Sequence, residues 1–194
     1  MTLETERRSL VQPVECRADG ESNMAAGYAA VFGDDADIGG YFREVIAPTA
    51  FTETLKNADV RAYFDHDRGR VLGRSSAGTL RLSVDDKGLA VEIDLPDTTD
   101  GRDVRTLIDR GDISGMSFGF IVTHDEWDET SDPPTRTIHE VELREVSIVS
   151  EPAYDGTSIA LRSLDAARSE ARKEHNVSGY LLRKADTDHR LRGI

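Results

Sequence analysis

The stretch Leu80-Arg81-Leu82-Ser83-Val84-Asp85-Asp86-Lys87-Gly88-Leu89-Ala90-Val91-Glu92-Ile93-Asp94-Leu95 decides the fold class. Apolar residues take every second position in 80–84 and again in 89–95, the period of a half-buried strand. Between them, Asp85-Asp86-Lys87-Gly88 supplies the glycine that a tight turn needs. A β-hairpin at this point makes antiparallel sheet the organising element of the chain.

Downstream, Thr98 or Thr99 can cap a helix whose Val104, Leu107 and Ile108 form an i, i+3, i+4 stripe and which Gly111 ends. A strand over 116–122 follows at once. Asp132-Pro133-Pro134 marks the tip of a long excursion, and 138–149 returns as strand. There the register breaks: Val141 and Leu143 belong to one face with Glu145, Val146 and Ile148 to the other, and a bulge around Arg144-Glu145 reconciles them. Upstream, Val60, Ala62, Phe64 and His66 share one strand face. Phe51 and Leu55 lie four apart on a short helix opened by Pro48 and stopped at Asn57. Strands are expected at 27–32 and 41–46. Residues 1–23 have weak periodicity and end in the polar run Ala18-Asp19-Gly20-Glu21-Ser22-Asn23, which predicts a loose arm with room for one edge strand. Residues 163–175, rich in Ala, Arg and Glu, predict an exposed helix followed by a polar tail. The expected organisation is an arm over 1–23, one domain over 24–162 and a tail over 163–194. Its fold class is α+β, mainly β: an antiparallel sheet closed or nearly closed into a barrel, with a few helices packed outside.

Composition narrows the function classes. No apolar run approaches the ~20 residues that span a bilayer, and the first 17 residues scatter Glu4, Glu6, Arg7, Arg8 and Glu15 where a secretory signal would be apolar. Cytoplasmic synthesis and no membrane partner are expected. A net charge of −13 argues against nucleic acid as a partner, because phosphate binding rests on Lys and Arg. The charge is uneven: residues 163–194 hold seven Lys or Arg against five Asp or Glu, so the acidity belongs to the body. One cysteine, Cys16, excludes an internal disulfide and a multi-thiolate metal site.

Gly115-Met116-Ser117-Phe118-Gly119 matches the G-x-S-x-G of a nucleophile elbow, but that motif needs a strand before the serine and a helix after it. Here a helix precedes Ser117 and a strand continues from it, so the α/β-hydrolase reading fails. What remains is a serine between small residues that let a backbone substrate approach. Serine is a poor nucleophile without a base, usually histidine held by a third group. Of five histidines, His175 and His189 lie in the polar tail and His124 and His139 flank the excursion. His66 ends an apolar-faced strand between Asp65 and Asp67, either of which could raise its basicity. Glu145 is the third candidate, a carboxylate at the register break that needs a partner to stay charged. A metal reading of Asp65-His66-Asp67 with His124-Asp125-Glu126 lacks a recognised ligand spacing, and no cofactor or metal is expected.

Several blocks stand together in one order: Gly27-Tyr28-Ala29-Ala30-Val31-Phe32, Phe42-Arg43-Glu44-Val45-Ile46-Ala47-Pro48, His66-Asp67, Leu72-Gly73-Arg74, Gly78-Thr79-Leu80, Leu95-Pro96-Asp97-Thr98, Gly111-Asp112-Ile113-Ser114-Gly115-Met116-Ser117-Phe118-Gly119-Phe120, Glu145-Val146-Ser147 and Pro152-Ala153-Tyr154. In this the chain resembles the prohead (capsid maturation) serine proteases of tailed phages, relatives of herpesvirus assemblin. Thr49 departs from it, standing where the family commonly has glycine. The resemblance implies an assemblin-like barrel, a Ser117 nucleophile, a His66 base and an acidic third member at Glu145, with His139 the fallback. It also implies an endopeptidase whose substrates are the scaffolding portion of the major capsid protein and the protease itself, enclosed in the immature phage head within the bacterial cytoplasm. Oligomeric state stays open. The tail is either a targeting or scaffold-binding segment removed by self-cleavage or a plain extension. A scaffold or assembly factor of the same fold without catalysis is the alternative function.

Overall fold

The computed structural model describes residues 5–10, 14–17, 23–151 and the single positions 164, 165, 168, 169 and 173. The chain divides into two compact units, Met1–Thr157 and Ser158–Ile194, and the elements named below belong to the first. Most of the expected 163–175 helix, the tail beyond it and Pro152-Ala153-Tyr154 lie outside the described residues.

Eleven strands and two α-helices are described: β1 (Glu6–Leu10), β2 (Glu15–Arg17), β3 (Met24–Val31), β4 (Ala36–Ile38), β5 (Phe42–Ile46), α1 (Thr54–Asn57), β6 (Arg61–Phe64), β7 (Asp67–Arg74), β8 (Leu80–Val84), β9 (Gly88–Asp94), α2 (Thr99–Arg110), β10 (Gly115–Asp128) and β11 (Thr135–Val149). The chain is mainly β with few helices. The deciding hairpin pairs Leu82 with Val91 and Val84 with Leu89. Gly88, expected to serve the turn, starts β9 instead. A Cβ there would meet the Ala30 carbonyl oxygen of β3 at 2.0 Å, so close strand approach requires the glycine. The turn itself is held by Asp85 Oδ1, which accepts from the backbone of Lys87 and Gly88. Helix α2 is capped as the sequence expects: Thr98 Oγ1 accepts from Gly101 N at 3.2 Å, and Gly111 ends it at φ 79°. Pro48 does not open α1. Turns run to residue 53 before the short helix begins.

One sheet runs β2-β3-β9-β8. The other runs β1-β10-β11-β5-β4, with β6 pairing β11 and carrying β7. Neither strand order closes on itself among the described residues, so two open sheets stand where one barrel is expected. Pairing is antiparallel except along β11, whose first part runs parallel to β5 and whose last part runs parallel to β6. A shared core holds residues of both sheets, including Leu89 and Ile93 from one and Phe118, Phe120, Val146 and Ile148 from the other. The N-terminal stretch supplies two strands, β1 and β2. Apolar period did not reveal β1 because its buried side chains include charged ones, Glu6 and Arg8, each 4% exposed. They join Glu44 and Arg136 in a buried ion cluster: Arg8 Nε to Glu44 Oε1 is 2.6 Å, Arg8 Nη2 to Glu6 Oε2 is 2.8 Å, and Arg136 Nη1 lies 3.1 Å from both carboxylates.

Candidate active site

The bulge on β11 builds one half of the site. Gly119 pairs with Glu145 and Phe120 with Leu143, leaving Arg144 as the extra residue. Val141, Leu143, Val146 and Ile148 thereby all reach the core. Glu145 moves off their face, where the sequence puts it, and stands beside Ser147 on the opposite one. The room it occupies belongs to Gly119: a Cβ there would meet Glu145 Cγ at 2.8 Å and Oε1 at 3.0 Å.

The other half is the β6–β7 turn. Phe64 pairs with Asp67, so Asp65 and His66 are the two central residues of a hairpin turn, at φ 48° and 58°. Positive φ at both positions is the geometry of a type I′ turn, normally served by Asn-Gly. A β-carbon in this region is strained. Asp65 ties the turn to the end of β11, its Oδ1 accepting from Ser150 N at 2.7 Å. Asp67 Oδ1 accepts from Gly69 N at 2.8 Å. Both aspartates are thus engaged with backbone, and the partner of His66 is Glu145: Nδ1 and Oε1 are 2.6 Å apart.

An ionised carboxylate only accepts, so Nδ1 carries the proton and Nε2 is left as an acceptor. Burial alone would push the Glu145 carboxyl up. The hydrogen bond and charge of His66, followed by the Arg7 guanidinium, outweigh burial and hold it below the ordinary carboxylate range. Arg7 Nε lies 3.2 Å from the same Oε1. Sequence patterning did not single out Arg7; its charge reads as that of a solvated arm.

Ser117 lies on β10, between Ser9 of β1 and Ser147 of β11. Directly paired residues point to one side of a sheet, so Ser117, Gly119, Glu145 and Ser147 share a face. Ser117 is fully buried and its hydroxyl donates to the Arg8 carbonyl at 2.9 Å rather than to His66. A cavity of about 710 Å3 opens beside Glu145, with Arg7, Arg61, Tyr63 and Arg68 in its wall. His139 lies six residues before Glu145 on β11, roughly 20 Å at the rise of a strand. Its Nε2 is 3.3 Å from Glu126 Oε2 and its ring packs on His124. The two acidic histidine clusters do not combine: Asp125 accepts from Arg136, and no metal-ligand group of three or more gathers among the described residues.

Comparison with known proteins bears on the family of the chain and not on its individual residues. The prohead protease of Enterobacteria phage HK97 is 30% identical over 158 residues, which cover 78% of this chain and 66% of that protein. The chain therefore spans about two thirds of that relative's length. No solved structure matches. The family model described as caudovirus prohead serine protease matches residues 12–189, nearly the whole sequence, and the chain belongs to that family of serine peptidases.

Proposed function

We propose that the chain is a serine endopeptidase of phage head maturation in which Ser117 is the nucleophile, His66 the base and Glu145 the carboxylate that orients it. The observation that carries this reading is the 2.6 Å contact between His66 Nδ1 and Glu145 Oε1, on the sheet face that also bears Ser117. It leaves Nε2 free to take a proton. Ser117 Oγ attacks the peptide carbonyl carbon, Nε2 removes its proton and then delivers it to the leaving amine, and Glu145 stays ionised against the imidazolium. Water, deprotonated by the same Nε2, releases the acyl group. Attack requires the Ser117 hydroxyl to leave the Arg8 carbonyl and turn to the ring; such bonds commonly tighten only when substrate is bound.

The substrates in this reading are the scaffolding portion of the major capsid protein and the chain itself, cut inside the immature head in the bacterial cytoplasm. We also take the two open sheets to be parts of one assemblin-like barrel, a view supported by the core they share. Co-expression with the capsid precursor, followed by intact-mass measurement, tests the function. Wild type should trim the precursor, and Ser117→Ala and His66→Ala should leave it whole. Trimming by Ser117→Ala would sink the assignment, and no trimming by wild type would favour a non-catalytic assembly factor.

A further inference from the structure

Ser147 is fully buried, and among the described residues its hydroxyl has no hydrogen-bond partner. Buried hydroxyls are nearly always satisfied, because an unmade bond leaves the desolvation of the group uncompensated. This one stands at a telling place. Ser147 is the direct cross-strand partner of Ser117, so the two β-carbons are about 4.5–5.5 Å apart on one face. Two residues before it on the same strand face is Glu145, which holds His66.

Resting on the serine-protease reading above, we infer that Ser147 is a further catalytic residue, whose hydroxyl donates a hydrogen bond to the oxyanion formed when Ser117 attacks. As the bond from Ser117 Oγ to the carbonyl carbon forms, the carbonyl π pair moves onto oxygen, which then needs a donor. A proton with no acceptor in the resting protein requires no exchange of partners to meet it, and that is the condition under which a fixed donor stabilises a transition state more than a ground state. Ser117 itself does not have this freedom, since its proton is committed to Arg8.

The test uses the full chain and a fluorophosphonate, which phosphonylates an activated serine through a comparable oxyanion, with intact mass as readout. Ser117→Ala should not label. Ser147→Ala should label about 100–1000-fold more slowly, the usual effect of one lost oxyanion donor. It should melt no lower than wild type, because no bond is removed, and Ser147→Thr should recover rate by restoring the hydroxyl. With uncleaved capsid precursor as substrate the loss should fall in kcat with KM little changed. Labelling of Ser147→Ala at the wild-type rate, with Ser117→Ala inert, overturns this role and leaves the protease reading standing. Labelling of Ser117→Ala overturns both. Should the alanine variant not fold, Ser147→Cys fills the same space with a weak donor, and wild-type labelling by that variant is equally fatal to the inference.

Discussion

His66 Nδ1 meets Glu145 Oε1 at 2.6 Å across the end of β11, and the same oxygen also takes Arg7 Nε at 3.2 Å. Glutamine at position 145 keeps the shape but carries no charge to steady an imidazolium, and its amide can donate to Nδ1 and so fix the wrong tautomer. Glu145→Gln should therefore lower kcat by roughly 10^3–10^4-fold with the fold intact. Initial rates on the capsid precursor read this directly. His139→Ala, at the other end of the strand, should change them little.

The depressed Glu145 carboxyl also has a signature in stability. A folded value below the ordinary 4.5 means that the native state binds the proton less readily than the unfolded chain. The stabilisation is complete above that ordinary value and is lost as pH falls through the lower folded value. The difference in urea midpoint between wild type and Glu145→Gln should narrow as pH falls below about 5, where the Glu145 carboxylate takes up its proton. A gap that stays unchanged as pH falls through the carboxyl range would show that His66 and Arg7 do not hold Glu145 ionised in solution.

Gly119 gives a steric handle on the same pair. A methyl there falls 2.8 Å from Glu145 Cγ, closer than side-chain carbons approach, and the carboxylate must swing away from His66. Gly119→Ala should thus resemble Glu145→Gln in rate while retaining the negative charge. A Gly119→Ala enzyme with wild-type kcat would mean that Glu145 has a second productive position.

How much of this was legible in the sequence depended on what kind of force makes each element. The β8–β9 hairpin, α2 with its Thr98 cap and Gly111 stop, and the apolar run of β10 follow from burial of alternating or stripe-wise side chains, which sequence displays. Strand β1 does not, because Glu6 and Arg8 are buried by pairing with Glu44 and Arg136, residues far away in the chain. The bulge was visible as a clash of faces, but its consequence for Glu145 depended on which residue is extra, and Arg144 is that residue only in the β10 pairing. Ser117 and His66 carried weak local signals that the order of the surrounding blocks strengthened. Arg7 and Ser147 carried none, since a charge in an arm and a serine in a strand acquire meaning only from what stands opposite.

The left-handed turn at His66 predicts a conflict between stability and chemistry. At φ 58° a side chain is strained where glycine is not. His66→Ala and His66→Gly both delete the imidazole and its bond to Glu145, so they differ chiefly in the backbone. Both should be inactive, and the glycine variant should be more stable than the alanine variant by about 1 kcal/mol in urea denaturation. Equal stability would mean that the turn relaxes once the imidazole is gone.

Arg136 tests what fixes β1 against the site. It is 2% exposed and binds Glu6 of β1 and Glu44 of β5, while its third partner, Asp125, has a side chain 27% exposed. Without Arg136, two buried carboxylates keep only Arg8, and breaking a buried ion pair from one side costs about 3–5 kcal/mol. Without Asp125, the two arginines and two glutamates still balance, and the lost contact lies at a partly solvated edge worth about 1 kcal/mol or less. Arg136→Ala should therefore lower the urea midpoint far more than Asp125→Ala, and it should loosen the strand whose Arg8 carbonyl holds the Ser117 hydroxyl. Hydrogen exchange at the β1 amides distinguishes the two effects: protection there should collapse in Arg136→Ala and persist in Asp125→Ala. Comparable losses in both variants would mean that burial of the strand's neighbours, and not the ion cluster, keeps β1 on β10.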